Sequence, residues 1–231
     1  MKKLVLFDID GTILWTDGAG RRAIREALVK EMGTAGPIET YRLDGKTDPQ
    51  IVRELMTLAG HPDASSEEHI SRVCRRYVQL LAVELQAGRH RTRLFPGIES
   101  LLLELERQGD VLVGLLTGNL AEGAALKLEA AGLDPTRFRV GAYGSDAPER
   151  SSLPPIAARR AEPLMGRIPK GAEVVIIGDT PADVTCGLGI GARAIGVGTG
   201  HYTRAQLLQA GAFAAFDNLA EMAPVVRAIH E

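Results

Sequence analysis

The sequence predicts an α/β protein: a Rossmann-like parallel sheet core with helices on both faces, plus an inserted all-helical cap domain. Two observations lead to this prediction. Short apolar runs such as 111–116 and 174–177 alternate with segments of helical periodicity, which is typical of a parallel sheet covered by helices on each side. In addition, a long helical stretch separates the first apolar run from the second.

The first apolar run, residues 3–7, ends abruptly in the segment Asp8-Ile9-Asp10-Gly11-Thr12. Two carboxylates that are two positions apart point to the same side of an extended backbone. One interpretation is a strand that ends in an Asx-type turn. The other is a site in which Asp8 is a nucleophile toward phosphorus, Asp10 transfers the proton, and the pair helps to bind a divalent cation. The motif by itself leaves both interpretations open.

The stretch from about residue 16 to residue 90 is predicted to be all-helical, from apolar spacing and from residues typical of helix ends. The predicted helices are 18–33, one that begins at Thr47 or Asp48, and one from Ser65 or Ser66 to Gly88. This block interrupts the α/β pattern after the first strand. We therefore predict that 1–15 and 92–231 form the α/β core and that 16–91 forms the cap domain.

After the cap, strands and helices alternate to the end of the chain. The predicted elements are a helix from Ile98 to Gly109, a strand at 111–116, a helix to Gly132, a weaker strand at 138–142, a helix from Pro154 to about Met165, a strand at 174–177, a helix opened by Pro181, and strands at 194–197 and 212–216. Polar residues follow the first strand and the strands at 111–116 and 174–177 directly. Because ligands of parallel sheets bind beyond the carboxyl ends of the strands, we expect these polar residues to meet at one edge.

The second polar set is Thr117-Gly118-Asn119. Asn119, with Glu122 three residues later, fits a helix N-cap with a partner similar to a capping box. A hydroxyl at a helix N-terminus on the sheet edge also suits a phosphate oxygen. The segment alone does not decide between these two interpretations.

The third polar set, Gly178-Asp179-Thr180-Pro181-Ala182-Asp183, is more specific. Thr180 as N-cap, Pro181 in the first helical position and an acid two residues later make a good helix start, which explains Asp183. It does not explain Asp179, an acid directly after a buried strand. As a third carboxylate beside Asp8, Asp179 would complete a site of the kind that Mg²⁺ prefers.

In this order, the motifs DxDGT, a Thr after the second motif strand and GDxxxD resemble the haloacid dehalogenase-like hydrolase superfamily across the whole chain. The helical insertion and the segment Phe95-Pro96-Gly97 look like the phosphoglycolate phosphatase and β-phosphoglucomutase branch. The resemblance implies a Mg²⁺-dependent phosphatase that hydrolyses a small phosphate monoester, similar to phosphoglycolate, through an aspartyl-phosphate.

The resemblance also implies which residues form the site. The implied assignments are Asp8 as nucleophile, Asp10 as general acid/base, Thr117, Gly118 and Asn119 on the transferring phosphoryl group, and Asp8, Asp10 (through its main-chain carbonyl), Asp179 and the supporting Asp183 at the metal. The second aspartate of the first motif argues against a dehalogenase, because those relatives lack an acid/base aspartate at that place.

The chain departs from the family where a lysine is expected before the helix that leads to the GDxxxD strand. Here Arg150 stands in the segment 148–155. An arginine is always charged and can bridge two oxygens, so Arg150 is expected to neutralise the aspartate–phosphate cluster as a catalytic residue. A solvated loop arginine is the alternative.

Two parts of the cap are candidates for contact with the substrate. Lys46 lies in a polar loop beside Gly45, and Arg21 and Arg22 open the first cap helix. In relatives, a cap loop of this sort reaches the active site. The alternative for each of these side chains is a solvated face.

Composition and net charge limit the classes of partner that we expect. The chain has 231 residues, 45% of them apolar, and a net charge of -2, so it has no overall field that would attract nucleic acid or anionic lipid. No run approaches the roughly 18 apolar residues of a membrane-spanning helix. Cys74 and Cys186 are predicted to be free thiols in a cytoplasmic protein. The expected partner is a small phosphorylated metabolite, and the protein is expected to be a monomer or homodimer.

Two other functions remain open from the sequence. A phosphosugar mutase of the same branch would return the phosphoryl group to a sugar instead of to water. A non-enzymatic, phospho-accepting signalling domain also uses acids and Mg²⁺ on a parallel sheet, but it needs neither a cap nor a general acid/base such as Asp10.

Overall fold

The computed structural model describes residues 2–87 and 92–231. The strands are β1 (Lys3–Phe7), β2 (Leu14–Trp15), β3 (Arg93–Leu94), β4 (Val111–Leu116), β5 (Val140–Ala142), β6 (Val174–Gly178), β7 (Arg193–Val197) and β8 (Ala214–Phe216). Six of them form a parallel sheet in the order β5-β4-β1-β6-β7-β8. The predicted α/β fold with a parallel sheet is confirmed, and β1 lies between the two strands that carry the other motifs.

Helices cover both faces of this sheet. They are α4 (Ile98–Gln108), α5 (Ala121–Ala130), α6 (Leu153–Met165), α7 (Pro181–Cys186), α8 (Arg204–Gln209) and α9 (Met222–His230). Successive side chains of a strand point to opposite faces. Accordingly, Val5 and Phe7 of β1 belong to one buried cluster with residues of α4 and α9, whereas Leu4 and Leu6 belong to another with residues of α6. This two-sided burial explains why the strand sequences are apolar throughout.

The helical insertion consists of α1 (Ala19–Met32), α2 (Asp48–Leu58) and α3 (Glu67–Gln86). Their apolar faces pack into a hydrophobic cluster of their own, in which Tyr77 is among the largest fully buried side chains. Gly88, the predicted end of the third helix, lies outside the described residues. The division of the chain at residues 16 and 91 stays a prediction.

The chain leaves and re-enters the core through a feature that the sequence did not predict. β2 and β3 pair antiparallel, with Leu14 opposite Leu94 and Trp15 opposite Arg93. The helices α8 and α9 were also not predicted. Among the described residues, no helix is both long and apolar enough to cross a bilayer.

Candidate active site

The carboxyl edge of the central strands carries a cluster of three buried acids. Asp8 follows β1 and Asp179 follows β6, and these two strands are neighbours. Asp183 lies in the first turn of α7. One carboxylate oxygen from each of Asp8, Asp179 and Asp183 lies within 4.8 Å of the others. The structure thus brings together residues that the sequence assigned to one metal site.

Two close backbone approaches hold Asp179 in place. A Cβ at either Gly11 or Gly200 would overlap the carboxylate of Asp179. Gly11 also has a φ of 82°, a conformation that favours glycine. The hydroxyl of Thr12 donates a hydrogen bond of 3.2 Å to Oδ1 of Asp179. The carboxylate is therefore held on several sides, as a metal ligand needs to be.

Burial dominates the electrostatics of this cluster. It raises the pKa of Asp8 to about 6, against the opposing effect of the Arg150 guanidinium. Burial, together with the neighbouring carboxylates of Asp183 and Asp8, raises the pKa of Asp179 well above its usual range. A divalent cation would favour the ionised acids here. The chemistry and spacing of these oxygen donors fit a hard cation such as Mg²⁺.

Arg150 supplies positive charge to the acid cluster from within the chain. It begins a short 3₁₀ turn before α6 and is 7% exposed. Its Nη2 lies 2.9 Å from Oδ1 of Asp8, forms an ion pair with Asp183, and donates 3.2 Å to the carbonyl of Leu116. Its Nε is buried and has no hydrogen-bond partner among the described residues. The solvated-loop interpretation of Arg150 is therefore wrong.

Asp183 caps helix α7 in addition to pairing with Arg150. Its Oδ2 accepts hydrogen bonds from the amide of Thr180 at 3.0 Å and from the Thr180 hydroxyl at 2.7 Å, which completes the capping box that opens α7. Its Oδ1 accepts from Arg150. Because both oxygens already accept protein hydrogen bonds, Asp183 is better placed to support a cation from nearby than to supply a free oxygen.

Asp10 lies in different surroundings, although it is only two residues from Asp8. Its side chain is 41% exposed, compared with 9% for Asp8. Its Oδ2 accepts a hydrogen bond of 2.8 Å from Nδ2 of Asn119. That Nδ2 also donates 2.7 Å to the hydroxyl of Thr117. The structure therefore connects the acid/base candidate of the first motif to the second motif.

The helix-cap interpretation of Asn119 is wrong. The N-cap residue of α5 is Leu120, without a side-chain cap hydrogen bond. The Asn119 side chain is instead buried against Asp10 and Thr117.

Sequence reasoning missed Lys127, which lies on α5. It is only 4% exposed, and its Nζ lies 2.6 Å from Oδ2 of Asp10 and 2.6 Å from Oδ1 of Asn119. The sequence held a signal: Lys127 shares the buried face of α5 with Gly123, Ala124 and Leu128. A lysine in an otherwise apolar helical stripe indicates a buried partner of opposite charge.

The cap approaches the second motif through its loop before α2. The amide of Asp48 donates 2.8 Å to the carbonyl of Gly118, and Oδ2 of Asp48 accepts 2.8 Å from the amide of Leu120. A Cβ at Gly118 would overlap the carbonyl of Lys46. Glycine at position 118 is thus required for the cap loop to come this close to the core.

The three cap cations that were candidates for contact with substrate are engaged within the cap, Arg22 through an ion pair of 3.0 Å with Glu84. Nζ of Lys46 lies 2.6 Å from Oε2 of Glu54 and 2.5 Å from the hydroxyl of Tyr41. Nη1 of Arg21 donates to the carbonyls of Ile38 and Tyr41. Both residues line the cavity, and their contact with substrate stays a prediction.

The core and the cap enclose a cavity of about 210 Å³ above the acids. Its lining includes Asp8, Asp10, Thr117, Asn119, Lys127, Arg150 and Asp179 from the core and Arg21, Lys46, Asp48 and Tyr77 from the cap. Residues of all three motifs thus line one cavity.

Comparisons with known proteins agree with this arrangement. The family model for haloacid dehalogenase-like hydrolases matches residues 2–191. A search of curated proteins finds no matching relative.

Solved structures share the fold at low sequence identity. CbbY from Rhodobacter sphaeroides, in complex with phosphate, is 24% identical with a TM-score of 0.76, and the match covers 96% of this chain and 97% of that one. A predicted phosphoglycolate phosphatase from Haemophilus somnus is 19% identical with a TM-score of 0.69, covering 97% and 98%. A putative β-phosphoglucomutase from Thermotoga maritima is 20% identical with a TM-score of 0.60, covering 97% and 98%.

Proposed function

The chain belongs to the haloacid dehalogenase-like hydrolase family, and we propose that it is a Mg²⁺-dependent phosphatase of small phosphate monoesters. One observation carries the proposal: the two aspartates of the first motif lie in different environments. Asp8 is buried beside Arg150 and two further acids, whereas Asp10 faces the cavity and is held by Asn119 and Lys127. Two carboxylates whose environments differ in this way are suited to different chemical roles.

In the first step, a carboxylate oxygen of Asp8 attacks the phosphorus of the substrate, and the bond from phosphorus to the ester oxygen breaks. The electron pair of that bond leaves with the alcohol, whose oxygen takes a proton from Asp10. The guanidinium of Arg150, 2.9 Å from Asp8, favours the ionised nucleophile. The products of this step are the free alcohol and an aspartyl-phosphate on Asp8.

In the second step, water replaces Asp8 on phosphorus. The carboxylate of Asp10, which has lost its proton, accepts a proton from the attacking water. The bond between phosphorus and the carboxyl oxygen of Asp8 then breaks, which releases inorganic phosphate and restores Asp8.

Several groups would bind the transferring phosphoryl group and neutralise its charge. Thr117, Gly118 and Asn119 would hold its oxygens, and Arg150 would offset their negative charge. Asp8, Asp179 and the main-chain carbonyl of Asp10 would hold Mg²⁺, with Asp183 in support. When bound, the metal ion supplies positive charge to the phosphoryl oxygens.

The size of the cavity supports a small substrate. About 210 Å³ suits a phosphorylated metabolite of a few carbon atoms, and we propose phosphoglycolate as the first to test. Cys74 and Cys186 are free, buried thiols, which supports a reducing, cytoplasmic setting. We further propose that the protein acts alone or as a homodimer, without nucleic acid or membrane.

A phosphosugar mutase is the second candidate, because the fold is shared with the putative β-phosphoglucomutase from Thermotoga maritima. Incubation with β-glucose 1-phosphate distinguishes the two functions. Isomerisation with little free phosphate would favour the mutase, and release of phosphate would favour the phosphatase.

The test of the proposed function is a phosphate-release screen over a panel of phosphorylated metabolites, with Mg²⁺ and with a chelator. We expect Mg²⁺-dependent release from at least one small monoester, and its loss to background in Asp8→Asn. The control is Asp217→Asn, which changes an exposed aspartate outside the three motifs. Release that persists in Asp8→Asn would contradict the proposal.

A further inference from the structure

We propose that Lys127 is a positioning residue for Asp10, which sets the geometry of proton transfer to the leaving group. The inference deepens the proposed function and rests on it, since it assumes that Asp10 is the general acid. It concerns a side chain that lies outside the three motifs, eight residues beyond Asn119 on α5.

Packing does not account for a lysine at this position. The side chain of Lys127 is 5% exposed, and its neighbours on the buried face of α5 are Gly123, Ala124 and Leu128. A buried ammonium carries a desolvation cost that an apolar side chain of the same size avoids. The cost is offset only where the charge has close partners, and Lys127 has them in Asp10 and Asn119.

The hydrogen bonds of Lys127 fix the orientation of Asn119. Nζ of Lys127 donates to Oδ1 of Asn119 at 2.6 Å, so the amide must present its Nδ2 to the other side. There Nδ2 donates to Oδ2 of Asp10 and to the hydroxyl of Thr117. A flipped amide would place a carbonyl oxygen against the carboxylate of Asp10, which is unfavourable.

The same network distinguishes the two oxygens of Asp10. Oδ2 accepts from both Lys127 and Asn119, whereas Oδ1 receives no hydrogen bond from any residue that the structure describes. Two donors, the ammonium of Lys127 and the amide of Asn119, share this one oxygen and fix the orientation of the carboxyl plane. Oδ1 is thereby left as the oxygen that exchanges the proton with the leaving alcohol.

The cap packs against the ammonium of Lys127. Gly20 lies on α1, and a Cβ at this position would be 3.5 Å from Nζ of Lys127 and 3.6 Å from the hydroxyl of Tyr77. Lys127 therefore lies between the cap and Asp10, where water has little access and a hydrogen bond to a charged group is strong.

The experiment compares p-nitrophenyl phosphate with phenyl phosphate, in the presence of Mg²⁺. The p-nitrophenolate ion leaves readily without a proton, whereas the more basic phenolate needs one. The quantity measured is kcat/KM, because it reports the steps up to release of the alcohol and not the later hydrolysis of the aspartyl-phosphate. The variants are Lys127→Met, Lys127→Gln, Lys127→Arg and Asp10→Asn, with Lys30→Met on the exposed face of α1 as control.

We expect Lys127→Met to lower kcat/KM for phenyl phosphate at least about 10-fold more than for p-nitrophenyl phosphate, within the range of general acid catalysis. Asp10→Asn should show the same selectivity more strongly, Lys127→Arg should restore part of the loss, and Lys30→Met should leave both rates unchanged. If Lys127→Met does not fold, Lys127→Gln removes the charge with a polar side chain that is one atom shorter, and it carries the same expectation.

Equal losses on the two substrates, or no loss, would overturn the inference. In that case Asp10→Asn would still show the selectivity, so the proposed function would stand. Failure of the wild-type protein to hydrolyse either ester with Mg²⁺ would instead be a failure of the proposed function.

Discussion

The cavity has two halves, around Asp8 and around Asp10, each of which contains one buried cation among the residues that the structure describes, and they differ in how the charge is balanced. In the half around Asp8, Arg150 faces three buried carboxylates. In the half around Asp10, Lys127 pairs with one carboxylate and one neutral amide. The guanidinium comes from the loop before α6, and the ammonium comes from the middle of α5.

The half around Asp8 therefore has a set of acids that a divalent cation would complete. Three carboxylates share one guanidinium there, and burial, together with the neighbouring carboxylates, raises the pKa of both Asp8 and Asp179. The carboxylate of Asp10 is instead paired within the chain, with Lys127. The two aspartates of one short motif thus have different surroundings, which suits the different roles that we propose for them.

The largest expected effect comes from removing the cation of the half around Asp8. Arg150→Ala removes its only cation among the described residues, and we expect kcat to fall by about 10²–10³-fold, as for the loss of one group that stabilises developing charge. Arg150→Lys keeps the charge, but its side chain is shorter than the one whose Nη2 contacts Asp8, Asp183 and the carbonyl of Leu116, so a partial loss is expected.

Steady-state kinetics with p-nitrophenyl phosphate measure this effect. Because Arg150→Ala leaves acids buried without a cation, its folding is checked by circular dichroism, and Arg150→Lys carries the prediction if Arg150→Ala unfolds. Unchanged turnover in folded Arg150→Ala would show that Arg150 is not needed for catalysis, whereas unchanged turnover in Arg150→Lys would show that the positive charge alone is sufficient.

A smaller effect is expected from disturbing the metal-binding acids without removing any of them. A methyl group in Gly200→Ala would overlap the carboxylate of Asp179, and we expect Mg²⁺ affinity to fall about 10–100-fold, the usual effect of altering a residue that orients a metal ligand. Gly189→Ala is the matched control, because its new Cβ would meet nothing within 4 Å.

Calorimetric titration with Mg²⁺ measures this affinity. The contacts of Asp10 should be unaffected in Gly200→Ala, so the rate ratio between phenyl and p-nitrophenyl phosphate should match that of the wild type. Equal Mg²⁺ affinity in Gly200→Ala and Gly189→Ala would contradict the assignment of Asp179 as a metal ligand.

The smallest effect is expected at Asp48, which lies near Lys127 on the cap side. Burial raises the pKa of Asp48 to about 6, against the opposing effects of Lys127 and the amide of Leu120. The folded state therefore holds this proton more tightly than the unfolded state, whose ordinary value is 3.8. It follows that the contribution of Asp48 to the free energy of unfolding falls as pH rises from about 4 to about 6.

Asp48→Asn removes this pH dependence but keeps a side-chain oxygen that can accept the hydrogen bond from the amide of Leu120. Relative to wild type, the variant should gain about 2 kcal/mol in free energy of unfolding between pH 4.5 and pH 7.5. Urea unfolding at both pH values measures the gain, with the exposed Asp217→Asn as control. An equal gain in the free energy of unfolding for Asp48→Asn and Asp217→Asn would show that folding does not raise the pKa of Asp48.

The sequence by itself determined the parallel sheet and the edge at which the site forms. Apolar runs that alternate with helices, each followed by acids or small polar residues, specify this architecture locally, and Asp8, Asp179 and Thr117 could be assigned from it. Asp179 was the most informative residue, because no turn or cap explained an acid directly after a buried strand.

Only the tertiary structure decided which cations serve the site. Lys127 is 117 residues from Asp10, and its place in an apolar helical stripe does not indicate which carboxylate it pairs with. Contact between Lys46 and substrate stays a prediction, and the pairing of its ammonium with Glu54 became visible only in the structure. The reason is physical: periodicity specifies which face of an element is buried, whereas the partner of a charge depends on contacts between segments far apart in the chain.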